Sequence, residues 1–148
     1  MLHELSRRLL DNRPEVVDAA LVEIAELLDL WSSSWRTGVP ALLADEEARS
    51  FVRSLLLDYI DREPKRPNAA TAIWVLGKLY DNSLEPYLVN LANHYLDDDN
   101  AYSHLYQIAL ALDNLEMFPQ APSPELLNEI AGVRDLVRDY VDNRNKHE

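Results

Sequence analysis

The chain has no cysteine and only three glycines in 148 residues. Without thiols there can be no disulfide, no thiolate nucleophile and no Cys-ligated zinc, and a reducing, cytoplasmic setting is the natural expectation. So little glycine argues against tight hairpin turns that need positive φ, and against phosphate-cradling loops. Long apolar runs are absent as well, which excludes a membrane span. The opening residues, Met1-Leu2-His3-Glu4-Leu5-Ser6-Arg7-Arg8, lack a basic segment followed by an apolar run, so no signal peptide is expected. Lysine and arginine are missing throughout residues 79–133. With a net charge of −12, the chain would be repelled by phosphates, and a nucleic-acid partner is not expected.

What the sequence does contain is helical periodicity. Hydrophobic residues make up 47% and charged residues 27%, an ordinary globular balance in a length that suits one domain, 1–148. Val17, Ala20, Leu21, Ile24, Leu27, Leu28 and Trp31 form an apolar stripe after Pro14, a residue suited to a first helical turn. Ala48, Phe51, Val52, Leu55 and Tyr59 form a second, with Pro40 and Asp45 as rival starts for its helix. Asn68 reads as the N-cap of a third, carrying Ala69, Ala72, Ile73, Leu76, Leu79 and Tyr80. Ser83 reads as the cap of a fourth with Leu84, Leu88, Leu91, Ala92 and Tyr95. Asn100 opens a fifth with Ala101, Leu105, Ile108, Ala109 and Leu112. Ser123 caps a sixth that starts at Pro124 and turns Leu126, Ile130, Val133, Val137 and Tyr140 inward. A short leading helix within residues 1–12 precedes these. The expectation is therefore all-α with six to seven helices, paired as 14–61, 68–97 and 100–142, with 143–148 as a tail.

The pairs repeat. Placing residue 72 over residue 105 gives an offset of 33, with Val75 on Ile108, Leu79 on Leu112 and Asp81 on Asn114. Such a period marks a helical solenoid. Residues 69–112 resemble HEAT repeats: Leu76-Gly77-Lys78-Leu79-Tyr80-Asp81 is similar to that family's Leu-Gly-x-Leu-x-Asp, and Glu85-Pro86-Tyr87-Leu88-Val89-Asn90-Leu91 to its Val-Pro-x-Leu-x-x-Leu. The arginine that the pattern places after the acidic turn is missing here. The resemblance implies a right-handed α-α superhelix of stacked hairpins, whose second helices line a concave face.

Residues with chemical potential are few. His94 and His104 flank Asp97, Asp98 and Asp99, but their spacing provides no convergent ligand set, and the turn reads as a helix-capping element rather than a metal site. It also lacks the glycine of a calcium loop. HEAT-like di-iron hydroxylases carry His-Glu pairs on inner helices; here His3-Glu4 and His147-Glu148 stand at the ends. Ser32-Ser33-Ser34 has no strand-turn-helix elbow around it. No catalytic residue, metal or cofactor is expected.

The charge pattern is more informative. The base-free stretch carries Asp81, Glu85, Asp97, Asp98, Asp99, Asp113, Glu116, Glu125 and Glu129. With the apolar stripes inward, the fourth helix turns Asn90, Asn93 and Asp97 outward, and the sixth turns Asn128, Asp135, Asp139 and Asp142 outward. Together with Asp98, Asp99 and the pair Tyr102 and Tyr106, one turn apart, these are the candidate partner-binding residues. They would line a concave, base-poor groove; a solvated acidic surface is the plainer alternative. Small acidic HEAT-like proteins are similar to bacterial immunity proteins that occlude basic toxins, often nucleases. A scaffold binding a peptide or helix is a second possibility, and a HEAT-like cofactor or metal enzyme a third.

Overall fold

A computed structural model describes residues 1–37 and 42–146. Among them are eight α-helices, two short 3-10 turns and no strand. The helices are α1 (Leu2–Leu9), α2 (Pro14–Thr37), α3 (Glu46–Arg62), α4 (Pro67–Gly77), α5 (Glu85–Tyr95), α6 (Tyr102–Asn114), α7 (Pro124–Leu127) and α8 (Ile130–Lys146). The chain is all-α, with one helix beyond the expected six to seven because the sixth expected helix is divided into α7 and α8. It separates into two compact units, Met1–Leu79 and Tyr80–Glu148. The expected pair 68–97 straddles that division.

In the first unit, α1 and α4 each pack against both α2 and α3. Helix α2 starts at Pro14, whose missing N–H costs nothing in a first turn. It buries Val17, Ala20, Leu21, Ile24 and Leu28 of the expected stripe, with Ala25 in addition, while Leu27 and Trp31 are only half-buried. Each fully buried leucine or isoleucine contributes about 1.5–3 kcal/mol. Helix α3 is capped by Asp45, whose carboxylate accepts from Glu47 N at 3.0 Å; Pro40 lies outside the described residues. Its buried face is Val52, Leu56, Tyr59 and Ile60, rotated from the expected stripe, so that Phe51 is exposed with its ring edge against His3. Helix α4 is buried almost all round, and its small residues Ala69, Ala70, Ala72 and Gly77 let it lie close to both α2 and α3. Asn68 is not its cap. It sits inside the first turn, buried, and its amide donates to Pro14 O at 3.1 Å and Asp18 Oδ1 at 2.6 Å, tying α4 to the start of α2. Ser32, Ser33 and Ser34 belong to α2, where each hydroxyl donates to a carbonyl three or four residues back.

In the second unit, α6 packs against both α5 and α8, and α5 and α8 also touch each other. The turn before α5 is capped by Asp81 rather than Ser83: its carboxylate accepts from Ser83 N at 3.0 Å and heads the 3-10 turn Asn82–Leu84. Helix α6 begins at Tyr102, two residues later than expected, after Asp98 Oδ1 accepts from Asn100 N at 2.9 Å. It ends in a Schellman arrangement: Met117 N donates to Leu112 O and Glu116 N to Asp113 O, with Glu116 at a φ of 59°. Ser123 caps α7 as expected, accepting from Leu126 N at 3.2 Å. That helix closes after one turn, and α8 restarts at Ile130, which is 55% exposed instead of inward. Val133, Val137 and Val141 form the buried line of α8, which continues through Lys146 into the expected tail. His147 and Glu148 lie outside the described residues.

The junction between α7 and α8 is tight at Gly132. A Cβ there would stand 2.6 Å from the Leu126 carbonyl oxygen, a backbone atom that cannot swing away. The better helix propensity of alanine, about 1 kcal/mol over glycine, opposes this clash. Overpacking costs roughly 1–3 kcal/mol, so we expect Gly132→Ala to lower unfolding stability by about 1–2 kcal/mol in urea titration. An unchanged or raised midpoint would show that the junction gives way without strain.

Candidate functional site

Helix α8 lies antiparallel to α5 and is joined to it at both ends by arginine. Near the end of α8, the Arg144 Nε–H is shared by both oxygens of Glu85, the first residue of α5, with Glu85 Oε2 at 2.8 Å. The Tyr140 hydroxyl donates to Glu85 Oε1 at 3.2 Å. Glu85 is buried, and its carboxylate also lies at the positive end of the α5 dipole. At the other end of α5, Arg138 Nη2 donates to Leu96 O at 3.1 Å and Arg134 Nη2 to Asp98 O at 3.0 Å. Leu96 O is one of the end carbonyls that the helix ladder leaves open, and Asp98 O, just beyond the helix, also accepts from Ala101 N at 3.2 Å. The same guanidinium groups reach Asp99 at 3.4 Å and Asp97 at 3.5 Å.

This revises the base-poor groove expected for the stretch. Three arginines from beyond residue 133 fold back onto it, and the 97–99 turn is partly neutralised. Asp97 and Asp99 remain almost fully exposed, so their ion pairs are worth little; the bonds to carbonyls matter more. Asp98 is half-buried and engaged in its turn. Tyr102 and Tyr106 are half-buried, their rings 6.0 Å apart, and the Tyr102 hydroxyl donates to Leu127 O at 2.7 Å. Tyr102 therefore ties α6 to the end of α7 and is not a freely exposed anchor.

The remaining candidates are where the periodicity puts them. Asn90, Asn93 and Asn128 are exposed, and Asn90 borders a small recess with Pro86, Val89, Arg144 and Asn145. Asp135, Asp139 and Asp142 are exposed in one row of α8, four and then three residues apart, across the helix from Val133 and Val137. Among the described residues no hydrogen bond or ion pair engages their carboxylates. Helix α8 thus turns its arginines toward α5 and leaves these three acids to solvent.

The Glu85–Tyr140–Arg144 cluster, with Met117, Pro119 and Asn143 around a neighbouring cavity, escaped the sequence reading. Its members are 55 and 59 residues apart, and no local pattern links them. His94 is exposed, whereas His104 is buried with its ring 4.6 Å from that of Tyr95. Among the described residues no group of three His, Cys, Asp or Glu could hold a metal ion. No described helix is long and apolar enough to cross a membrane.

Burial pushes the Tyr95 hydroxyl up to about 12, and burial together with the adjacent Glu85 carboxylate does the same for Tyr140. An unfolded chain releases these protons near the ordinary value of 10, so between 10 and 12 the folded state binds more protons. Their contribution to stability is complete below pH 10 and is lost as pH rises toward 12. The urea midpoint is expected to fall over that window, and to fall less in a Tyr95→Phe, Tyr140→Phe double variant. Equal slopes in both proteins would refute the assignment.

Removing Arg144 leaves the buried Glu85 carboxylate with Tyr140 as its remaining side-chain donor among the bonds described. Arg144→Ala is expected to cost roughly 2–3 kcal/mol, and a double-mutant cycle with Glu85→Gln should show that the two losses are far from additive. Additive losses would mean that the pair is not coupled.

No family model, no curated protein and no solved structure matches this chain.

Proposed function

We propose that this chain is a non-catalytic, HEAT-like protein-binding module of the cytoplasm, and that its acidic surface docks a basic protein partner. The most specific form of this reading is an immunity protein that neutralises a basic, nuclease-like toxin by covering its active site. One observation carries it: the row Asp135, Asp139 and Asp142, exposed on α8 and free of ion pairs, on a helix whose arginines are turned toward α5. Carboxylates without a partner in the folded unit remain available to an incoming cation. Such a row acts mainly on association, because clustered charge of one sign raises encounter rates before any close contact forms.

The test uses the protein encoded beside this chain's gene, if it has a basic, toxin-like domain. Wild-type protein should bind it and suppress its activity. Asp135→Lys, Asp139→Lys and Asp142→Lys together should slow association by about 10- to 100-fold at low salt and flatten its salt dependence, with little change in the dissociation rate. An association rate that is unaffected by the triple reversal removes the acidic surface from the mechanism. A neighbour that is neither basic nor bound removes the immunity reading.

A further inference from the structure

A cavity of about 350 Å³ lies beside the Glu85 cluster, between the chain that follows α6 and the last turns of α8. Met117 and Pro119 form one wall; Tyr140, Asn143 and Arg144 form the other. The Tyr140 ring is held edge-on by Phe118, centroids 5.6 Å apart, while its hydroxyl is engaged by Glu85. Its apolar face is thereby left for the cavity. Arg144 is compensated by Glu85, so the polar wall brings no uncompensated cation to the opening.

The size and lining narrow the choice of occupant. Pockets that enclose small ligands run from about 300 to 1,000 Å³, which places this one at the lower limit. Its walls hold no reactive pair, while methionine, proline and an aromatic ring make an adaptable apolar seat. One member of the acidic row comes close to it: Asp139 is one helical turn from Asn143, a lining residue, on the same side of α8, and Asp142 is Asp139's neighbour in the row. An apolar seat with unpaired carboxylates one helical turn away is complementary to an apolar side chain flanked by long cationic ones.

We propose that this cavity receives one leucine-, methionine- or phenylalanine-sized side chain from a lysine- or arginine-rich segment of the protein partner, whose flanking cations meet Asp139 and Asp142. The inference rests on the acidic-surface reading and specifies how a partner is recognised there. The carboxylates set the approach, and the seated side chain sets the residence time.

Two capped, lysine-rich pentapeptides, one with a central phenylalanine and one with a central alanine, test this against the full chain at low ionic strength. Amide chemical-shift changes in ¹⁵N-labelled protein report even weak binding. The phenylalanine peptide should bind about ten-fold more tightly, the equivalent of roughly 1.4 kcal/mol. Asn143→Trp, which places an indole at the mouth from an exposed position, should abolish that preference while the alanine peptide binds as before. Met117→Gln, which makes the wall polar, should do the same by a different route. Asp139→Lys with Asp142→Lys should weaken both peptides equally. If the peptides bind alike and still depend on the aspartates, the cavity is not the seat and the acidic surface stands. If the phenylalanine preference persists in both cavity variants, the seat lies elsewhere and the proposal fails. If that preference is real but indifferent to the aspartates, the acidic-surface reading fails, and with it the pairing proposed here. Absence of shifts with either peptide overturns both.

Discussion

Arginines from α8 grip α5 at both ends, and the arrangement of the second unit depends on that grip. At the N-terminus of α5 the partner is Glu85, a carboxylate where the helix dipole favours negative charge. At the C-terminus the partners are the carbonyls of Leu96 and Asp98, where the dipole favours positive charge. Each contact therefore agrees with the dipole as well as with its hydrogen-bond partner. Because Arg134 and Arg138 reach one end and Arg144 the other, α8 is fixed in direction and rotation. A helix of about 100° per residue held in this way must turn positions 135, 139 and 142 outward. The acidic row follows from the same register that satisfies α5.

Charge along the sequence and charge on the surface consequently differ. Residues 79–133 have no base, and Asp97, Asp98 and Asp99 form their densest acidic run. In space that run is the better neutralised one, since Arg134 and Arg138 sit over it. The acids of α8, interleaved with arginines in sequence, are the ones without partners. Alternation in sequence gives no neutralisation when the two signs project from different sides of a helix.

The sequence was legible wherever the signal is local. The short leading helix α1, the inward Val17, Ala20, Leu21, Ile24 and Leu28 of α2 and the Ser123–Pro124 start of α7 follow from periodicity and capping chemistry. Errors fall where a tertiary contact, or a stronger local acceptor, overrode the expected preference. Asn68 has the composition of a cap but serves as a buried donor to α2, and Asp81 displaces Ser83 because a carboxylate two residues ahead of an N–H closes the turn directly. The sixth helix divides where Gly132 meets the Leu126 carbonyl, a fit that no stripe of apolar residues records. Of the candidate site, the outward positions on α8 were readable. The Glu85–Tyr140–Arg144 cluster was not, because its recognition needs the packing of α8 on α5.

The exposed row also has an energetic consequence. Asp135 and Asp139 are four residues apart, and Asp139 and Asp142 three, so on a helix surface they repel by about 0.2–0.5 kcal/mol per pair. Nothing described within the unit offsets this, since the arginines of the same helix are turned toward α5. Cations brought against the row from outside relieve the repulsion as well as gaining attraction, whereas an anionic surface deepens it. The folded chain thus presents a surface that favours cations over anions before any shape is matched. Charge alone provides no choice among basic proteins, and in the proposed docking that choice would fall to groups that exclude water. In the second unit, the walls formed by Met117, Pro119 and Tyr140 have that character.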